Sequence, residues 1–248
     1  MADWSRAVIV GASSGIGKQL ACQLAAAGSQ VVLVARREEL IREIAAEINA
    51  GRAEPLASFV TADVRDAEQS TAAFDRITAE GDFDLIVYSS GIMPKGAGKG
   101  YPTDEDVKTI ETNLTGAVVW LNAAAQYFLN RGRGTIVGIG SIAGDRGRRG
   151  NPVYNATKAA LATYLESLRY RLAPAGIRVV TIKPGFVRTA LIGDRRVIPP
   201  AVSAEEAARL ILKAARRGPR VVYVPFWWRG MAIMVKFMPA PIMQRLPW

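Results

Sequence analysis

The chain has 248 residues, 50% of them hydrophobic, which is enough to bury one large core in a single domain. It contains no histidine, which removes imidazole bases, Ser/His pairs and nearly every zinc site, and its one cysteine, Cys22, rules out an internal disulfide framework and points to a reducing, cytoplasmic compartment. A net charge of +10 suits an anionic partner, but does not choose among nucleotide, phosphorylated metabolite, nucleic acid and lipid headgroup.

The opening stretch MADWSRAVIVGASSG has no basic-then-apolar leader and no small-residue cleavage site, so no secretion signal is expected. A first strand is predicted at AVIV (7–10). It runs into GASSGIGKQL, where Gly11, Gly15 and Gly17 sit between a strand and a helix. Glycines at such a turn allow close backbone approach to a phosphate, and the helix N-terminus offers free N–H groups to an anion. A purely structural turn would read the same way, and the spacing differs from G-x-G-x-x-G.

The second strand, VVLVA (31–35), ends in Ala35 followed by Arg36 and Arg37. A carboxylate there would hold the ribose hydroxyls of NAD. Guanidinium groups instead grip a 2′-phosphate, so the expected cofactor is NADP(H), unless the two arginines are solvated residues opening a helix. Asp63 closes the third strand, LASFVTAD (56–63), and either accepts from an adenine amino group or caps the next helix. The fourth strand, DLIVYS (84–89), leads into Ser90 and Gly91. Residues 112–130 are uncharged, but Asn113, Asn122, Gln126 and Asn130 recur through them, which reads as a buried helix and not a membrane span.

Further strands are predicted at TIVGIGS (135–141), RVVTIKP (178–184) and VVYV (221–224), with helical spacing between them. Repeated βαβ units of this kind predict an α/β fold: a single-domain, Rossmann-like, doubly wound parallel sheet of about seven strands flanked by helices. Ligands in such a fold bind beyond the C-terminal strand ends. Ser141 stands at the fifth strand's end, and YNATK places Tyr154 and Lys158 one helical turn apart.

With GASSGIG, Asn113, Ser141, YNATK and PGFVRT in this order, the chain resembles the short-chain dehydrogenase/reductase family over residues 5 to 225. It departs from the family pattern at Val10, where threonine is usual, and at Tyr88-Ser89-Ser90-Gly91, where Asn-Asn-Ala-Gly is usual. The resemblance implies an NADP-dependent enzyme that transfers hydride between NADP(H) and a carbonyl or secondary alcohol. Tyr154 is then the general acid or base and Ser141 the hydrogen-bonding partner of the carbonyl oxygen. Lys158 lowers the tyrosine pKa, together with the oxidised ring's charge, and holds the nicotinamide ribose. Asn113 supports a water chain, or is only a capping asparagine. The implied cofactor contacts are Gly11, Ser13, Ser14, Gly15, Ile16, Gly17, Arg36, Arg37, Asp63, Val64, Ser89, Ser90, Gly91, Tyr154, Lys158, Pro184, Gly185, Val187 and Thr189, with no metal. A homodimer or homotetramer is implied as well.

The loop GDRGRRGN carries Arg146, Arg148 and Arg149 near the expected site, as anchors for an anionic or lipidic small-molecule substrate or as a solvated basic loop. It bears a weaker similarity to reductases of lipid-phosphate-linked keto sugars. Residues 1–225 are expected to form the dinucleotide-binding and catalytic domain. Residues 226–248 are an apolar tail serving as pocket lid, oligomer contact or peripheral membrane helix. An NADP-binding regulator of the same fold without turnover is the alternative. No nucleic-acid partner is expected, because the cations are scattered and no recognised binding module is present.

Overall fold

Every side chain of the first strand is buried, which requires a sheet covered on both faces. The computed structural model describes residues 4–94, 100–191, 201–217 and 220–246. Strand β1 (Arg6–Val10) sends Ala7 and Ile9 into one apolar cluster and Val8 and Val10 into a second, following the two-residue period of a strand. Helix α1 (Gly15–Ala26) adds Leu20 and Leu24 to the first cluster. After β2 (Gln30–Ala35), α2 (Glu38–Asn49) adds Ile41 and Ile44 to the same side. Beyond β3 (Ala57–Thr61), α3 (Ala67–Glu80) supplies Phe74 and Ile77 to the second cluster.

The chain then forms β4 (Leu85–Tyr88), α4 (Thr103–Ile110), a π-helical turn at Glu111–Thr115, α5 (Gly116–Arg131) and β5 (Thr135–Ile139). Trp120 and Phe128 of α5 join Leu161 and Leu165 of α6 (Pro152–Leu172) in the second cluster. Strand β6 (Arg178–Pro184) is followed by a two-residue strand, β7 (Val187–Arg188), which pairs in parallel with β8 (Val202–Ser203). Helix α7 (Ala204–Arg217), β9 (Val221–Val224), α8 (Trp228–Lys236) and α9 (Ala240–Arg245) complete the described chain.

The main sheet has seven strands in the order β3-β2-β1-β4-β5-β6-β9, every pair parallel. The order reverses direction between β1 and β4, so a crevice opens beyond Val10 and Tyr88. Among the described residues no helix is long and apolar enough to cross a membrane.

Two local features position the site. Tyr88 is fully buried, and its hydroxyl donates to the Thr112 carbonyl at 2.6 Å within the π turn. That hydroxyl is accommodated because Gly116 has no side chain: a Cβ there would lie 2.7 Å from the Tyr88 Oη and 2.6 Å from the Val64 carbonyl oxygen. The second feature is Trp228 of α8, 2% exposed, whose indole lies against Gly185 and meets Phe186 edge-on at 5.3 Å. A Cβ on Gly185 would come within 2.2 Å of Trp228 Nε1. Gly185→Ala should therefore cost about 1–3 kcal/mol by overpacking, read as a lower denaturant midpoint with an unchanged slope.

Candidate active site

The glycine loop folds back on itself at the end of β1. Gly11 has φ +92, a conformation side chains disfavour, and a Cβ there would lie 2.5 Å from the Ser90 nitrogen. A Cβ on Gly17 would lie 2.1 Å from the Gly11 oxygen. Ser14 is the extended N-cap of α1 and makes no side-chain cap bond, which leaves first-turn N–H groups for an anion. Ile16 packs on the first cluster, and Ser89 donates from its nitrogen to the Val10 carbonyl at 2.8 Å. A backbone surface this bare of side chains, next to a helix N-terminus, fits a dinucleotide pyrophosphate.

Arg37 reaches across this loop, donating from Nη2 to Ser13 Oγ at 2.7 Å and to Ser14 Oγ at 3.2 Å. Arg36 points elsewhere, with Nη1 3.6 Å from Asp63 Oδ2. Asp63 is held mainly by Arg65, at 2.6 Å, and that hydrogen bond keeps its carboxyl below the usual aspartate range. The capping alternative for Asp63 is corrected by the structure. Asp66 caps α3, accepting from the Gln69 nitrogen at 3.0 Å, because the helix begins at Ala67, four residues beyond Asp63. Val64 is buried beneath the π turn. On the far side of the crevice Pro184 ends β6, Gly185 donates to the Val224 carbonyl at 2.9 Å and Val187 is buried. Thr189 approaches the glycine loop: a Cβ on Gly15 would be 3.2 Å from its Cγ2.

Helix α6 starts with Pro152 in its first turn and carries Tyr154 and Lys158 on one face, 7% and 4% exposed. The turn Ile142–Gly144 rests directly on the α6 backbone, since a Cβ at Gly144 would lie 2.6 Å from the Lys158 carbonyl carbon. That close approach brings Ser141 beside Tyr154, whose ionised form its hydroxyl favours, while its Oγ accepts from the Ala143 nitrogen at 3.0 Å. Lys158 Nζ donates to the Ile139 carbonyl at 3.0 Å and stands 5.8 Å from the Tyr154 ring centre.

Asn113 is fully buried and sits in the middle of the π turn, not at a helix end, so it is not a cap. Its side chain clamps the irregular segment following β4: Oδ1 accepts from the Ile92 nitrogen at 2.8 Å, and Nδ2 donates to the Ile92 carbonyl at 2.9 Å and to Thr157 Oγ1 at 3.2 Å. Gly91 fills the remaining gap, where a Cβ would be 3.3 Å from Lys158 Nζ and 3.4 Å from Asn113 Oδ1. Asn113, Lys158, Tyr154 and Ser141 thus meet beyond the ends of β4 and β5.

The electrostatics differ from expectation on one point. Burial raises the Tyr154 pKa above its ordinary value, opposed by the Ser141 hydroxyl and by the Arg148 charge. The expected lowering by Lys158 is not the net result in the protein alone, because desolvation outweighs the countering groups. Lys158 is also affected: burial brings its pKa down to about 8.

Residues 5–197 match the family described as short chain dehydrogenase. The chain belongs to that family. A Myxococcus xanthus relative named "Uncharacterized oxidoreductase" is 35% identical over 244 residues, covering 97% of this chain and 95% of its own length. A short-chain dehydrogenase from Sphingobium yanoikuyae, solved in complex with NADPH, superimposes with a TM-score of 0.83 at 25% identity, covering 97% of this chain and 96% of that one. A short-chain type dehydrogenase/reductase from Mycobacterium marinum gives 0.77 at 32% identity, covering 85% and 88%.

This short-chain dehydrogenase has a basic loop that is built into the structure. Arg146 donates from Nη1 to the Lys236 carbonyl at 3.2 Å and from Nη2 to the Met238 carbonyl at 3.4 Å, and so holds the C-terminal end of α8. Arg148 is half-buried near Tyr154, and burial lowers its pKa. With Arg149, Ala240 and Met243 these two arginines line a cavity of about 350 Å³. Asp145 anchors the base of the loop through an ion pair with Lys183 of β6 and a 3.1 Å bond from the Tyr223 hydroxyl of β9.

Sequence reasoning missed Asp145, Lys183 and Tyr223 as a group. Opposite charges at the ends of neighbouring strands are the signal that could have found them. It also missed Thr157, for which a threonine in a helix gives no distinguishing mark.

Proposed function

We propose that this family member is an NADP(H)-dependent oxidoreductase that reduces a carbonyl, or oxidises the corresponding secondary alcohol, through Ser141, Tyr154 and Lys158. The observation that carries this reading is one cluster: Ser141 beside Tyr154, with Lys158 one turn along α6 and Asn113 behind it, beside the glycine loop. The NADPH complex of the Sphingobium yanoikuyae relative and the Arg37–Ser13–Ser14 cluster support the choice of cofactor.

When bound, NADPH supplies the hydride. Ser141 donates a hydrogen bond to the carbonyl oxygen, and Tyr154 gives that oxygen its proton as negative charge develops there. Lys158, held by the Ile139 carbonyl, keeps a cation near the resulting tyrosinate, and Arg148 adds a second. Asn113 fixes the wall behind the lysine through Ile92 and Thr157. Arg148 and Arg149, lining the cavity, favour a substrate bearing a carboxylate or phosphate, and the enzyme works as a homo-oligomer.

A panel of neutral and anionic carbonyls and secondary alcohols, followed at the nicotinamide absorbance band with NADPH and NADH in parallel, tests this. Turnover with NADPH and lower KM for anionic carbonyls is expected. NADPH binding without turnover on any compound would leave only a regulatory role.

The pH dependence follows from the two perturbed groups. Tyr154, with its pKa raised, stays protonated through neutral and mildly alkaline pH and remains competent to donate. Lys158 loses its proton above about pH 8, so kcat/KM for reduction should fall about tenfold per unit beyond that point. Stability should change in the opposite sense. The unfolded chain keeps the lysine proton up to its ordinary 10.5 while the folded protein releases it near 8, so this group's burial cost is greatest below pH 8 and disappears between about 8 and 10.5. Rate profiles and denaturant melts over pH 7 to 10 read both effects.

A further inference from the structure

Helix α8 has two apolar faces. Trp228 and Ala232, four residues apart, are buried against the domain. The opposite face is open to solvent: Trp227 is 51% exposed, Met234 58% and Phe237 76%, at spacings of seven and three, with Ile233 and the preceding Phe226 beside them. A helix that only covers the core would be polar on its outer side. This one exposes five large apolar side chains as a single stripe, which in a soluble chain marks a binding surface.

The charges around the stripe select the occupant. Residues 226–248 contain Arg229, Lys236 and Arg245 and no aspartate or glutamate, in a chain whose net charge is +10. Lys236 lies at the stripe's margin, its Nζ 6.0 Å from the Phe237 ring centre. Aromatic side chains flanked by cations suit an interface with an apolar interior and a negatively charged boundary. A second copy of this chain does not match: a two-fold contact brings identical patches together and sets these cations against one another with no carboxylate from the tail to pair them. Arg146, bonded to the carbonyls at the end of α8, fixes the orientation of the helix relative to the domain.

We propose that the outer face of α8 docks the protein reversibly on an anionic phospholipid surface, with Phe226, Trp227, Met234 and Phe237 entering the headgroup region and Arg229 and Lys236 meeting lipid phosphates. This surface lies outside the catalytic cluster and does not depend on which substrate that cluster takes.

The test uses full-length protein floated with phosphatidylcholine vesicles, with and without phosphatidylglycerol. Flotation is expected only with phosphatidylglycerol, and should weaken as salt is raised. The triple variant Trp227→Ser, Met234→Ser, Phe237→Ser should lose binding by at least about tenfold, and Lys236→Gln by roughly fivefold, while both keep the wild-type NADPH affinity as evidence of folding. No flotation on any vesicle, equal flotation of the triple variant, or a drop in oligomeric mass by sedimentation in that variant would each overturn the proposal. The last would mean that a second copy covers the stripe.

Discussion

Tyr154→Phe should lower kcat/KM for carbonyl reduction by about 10²- to 10⁴-fold, the range lost when a positioned general acid is removed. The loss should fall on kcat, because the phenol proton is needed only as charge develops on the substrate oxygen. The fold should be nearly unaffected: the ring keeps its buried place on α6, and only the hydroxyl beside Ser141 is lost, at a cost of about 1 kcal/mol. NADPH should bind as before, measured by fluorescence titration. Retained turnover in this variant would remove the tyrosine from the reaction and with it the proposed mechanism.

Arg37→Ala is expected to have the second largest effect, on cofactor choice. Arg37 already lies over Ser13 and Ser14, where a 2′-phosphate would meet three donors together. Losing one charge-assisted bond costs about 1.5–3 kcal/mol, so NADPH affinity should fall by roughly ten- to 150-fold while NADH affinity stays unchanged. Arg36→Ala, which sequence reasoning would choose equally, should do less, since Arg36 is 63% exposed and drawn toward Asp63. If the two variants behave alike, or if NADH binding falls with NADPH binding, Arg37 is structural.

That difference between neighbouring arginines illustrates what a sequence of this kind conceals. All seven main strands were legible because β-branched runs buried on both faces are distinct from the helices that separate them. Tyr154 and Lys158 were legible because helical spacing is local. Contacts between distant segments left no such mark. The β7–β8 pair is only two residues long on each side, below any periodic signal. The π turn is spelled by ordinary helix residues, and only the structure shows that it places Asn113 against Ile92 and Thr157 instead of at a cap. The direction of the Tyr154 pKa depended on how completely α6 is covered, a tertiary property. The tail's composition pointed to a lid, an interface or a membrane helix. Which of its faces is open to solvent could be read only once Trp228 was seen against Gly185.

The fit of the Tyr88 hydroxyl beside Gly116 limits how these two positions can change. Adding a methyl at 116 forces a collision with that buried hydroxyl and with the Val64 carbonyl. Removing the phenol first leaves a hole and strips Thr112 of its donor. Shortening residue 88 lifts only one of the two collisions, because the Val64 carbonyl is main chain and lies closer still. Homologues that keep this backbone should therefore carry glycine at 116 whatever residue stands at 88.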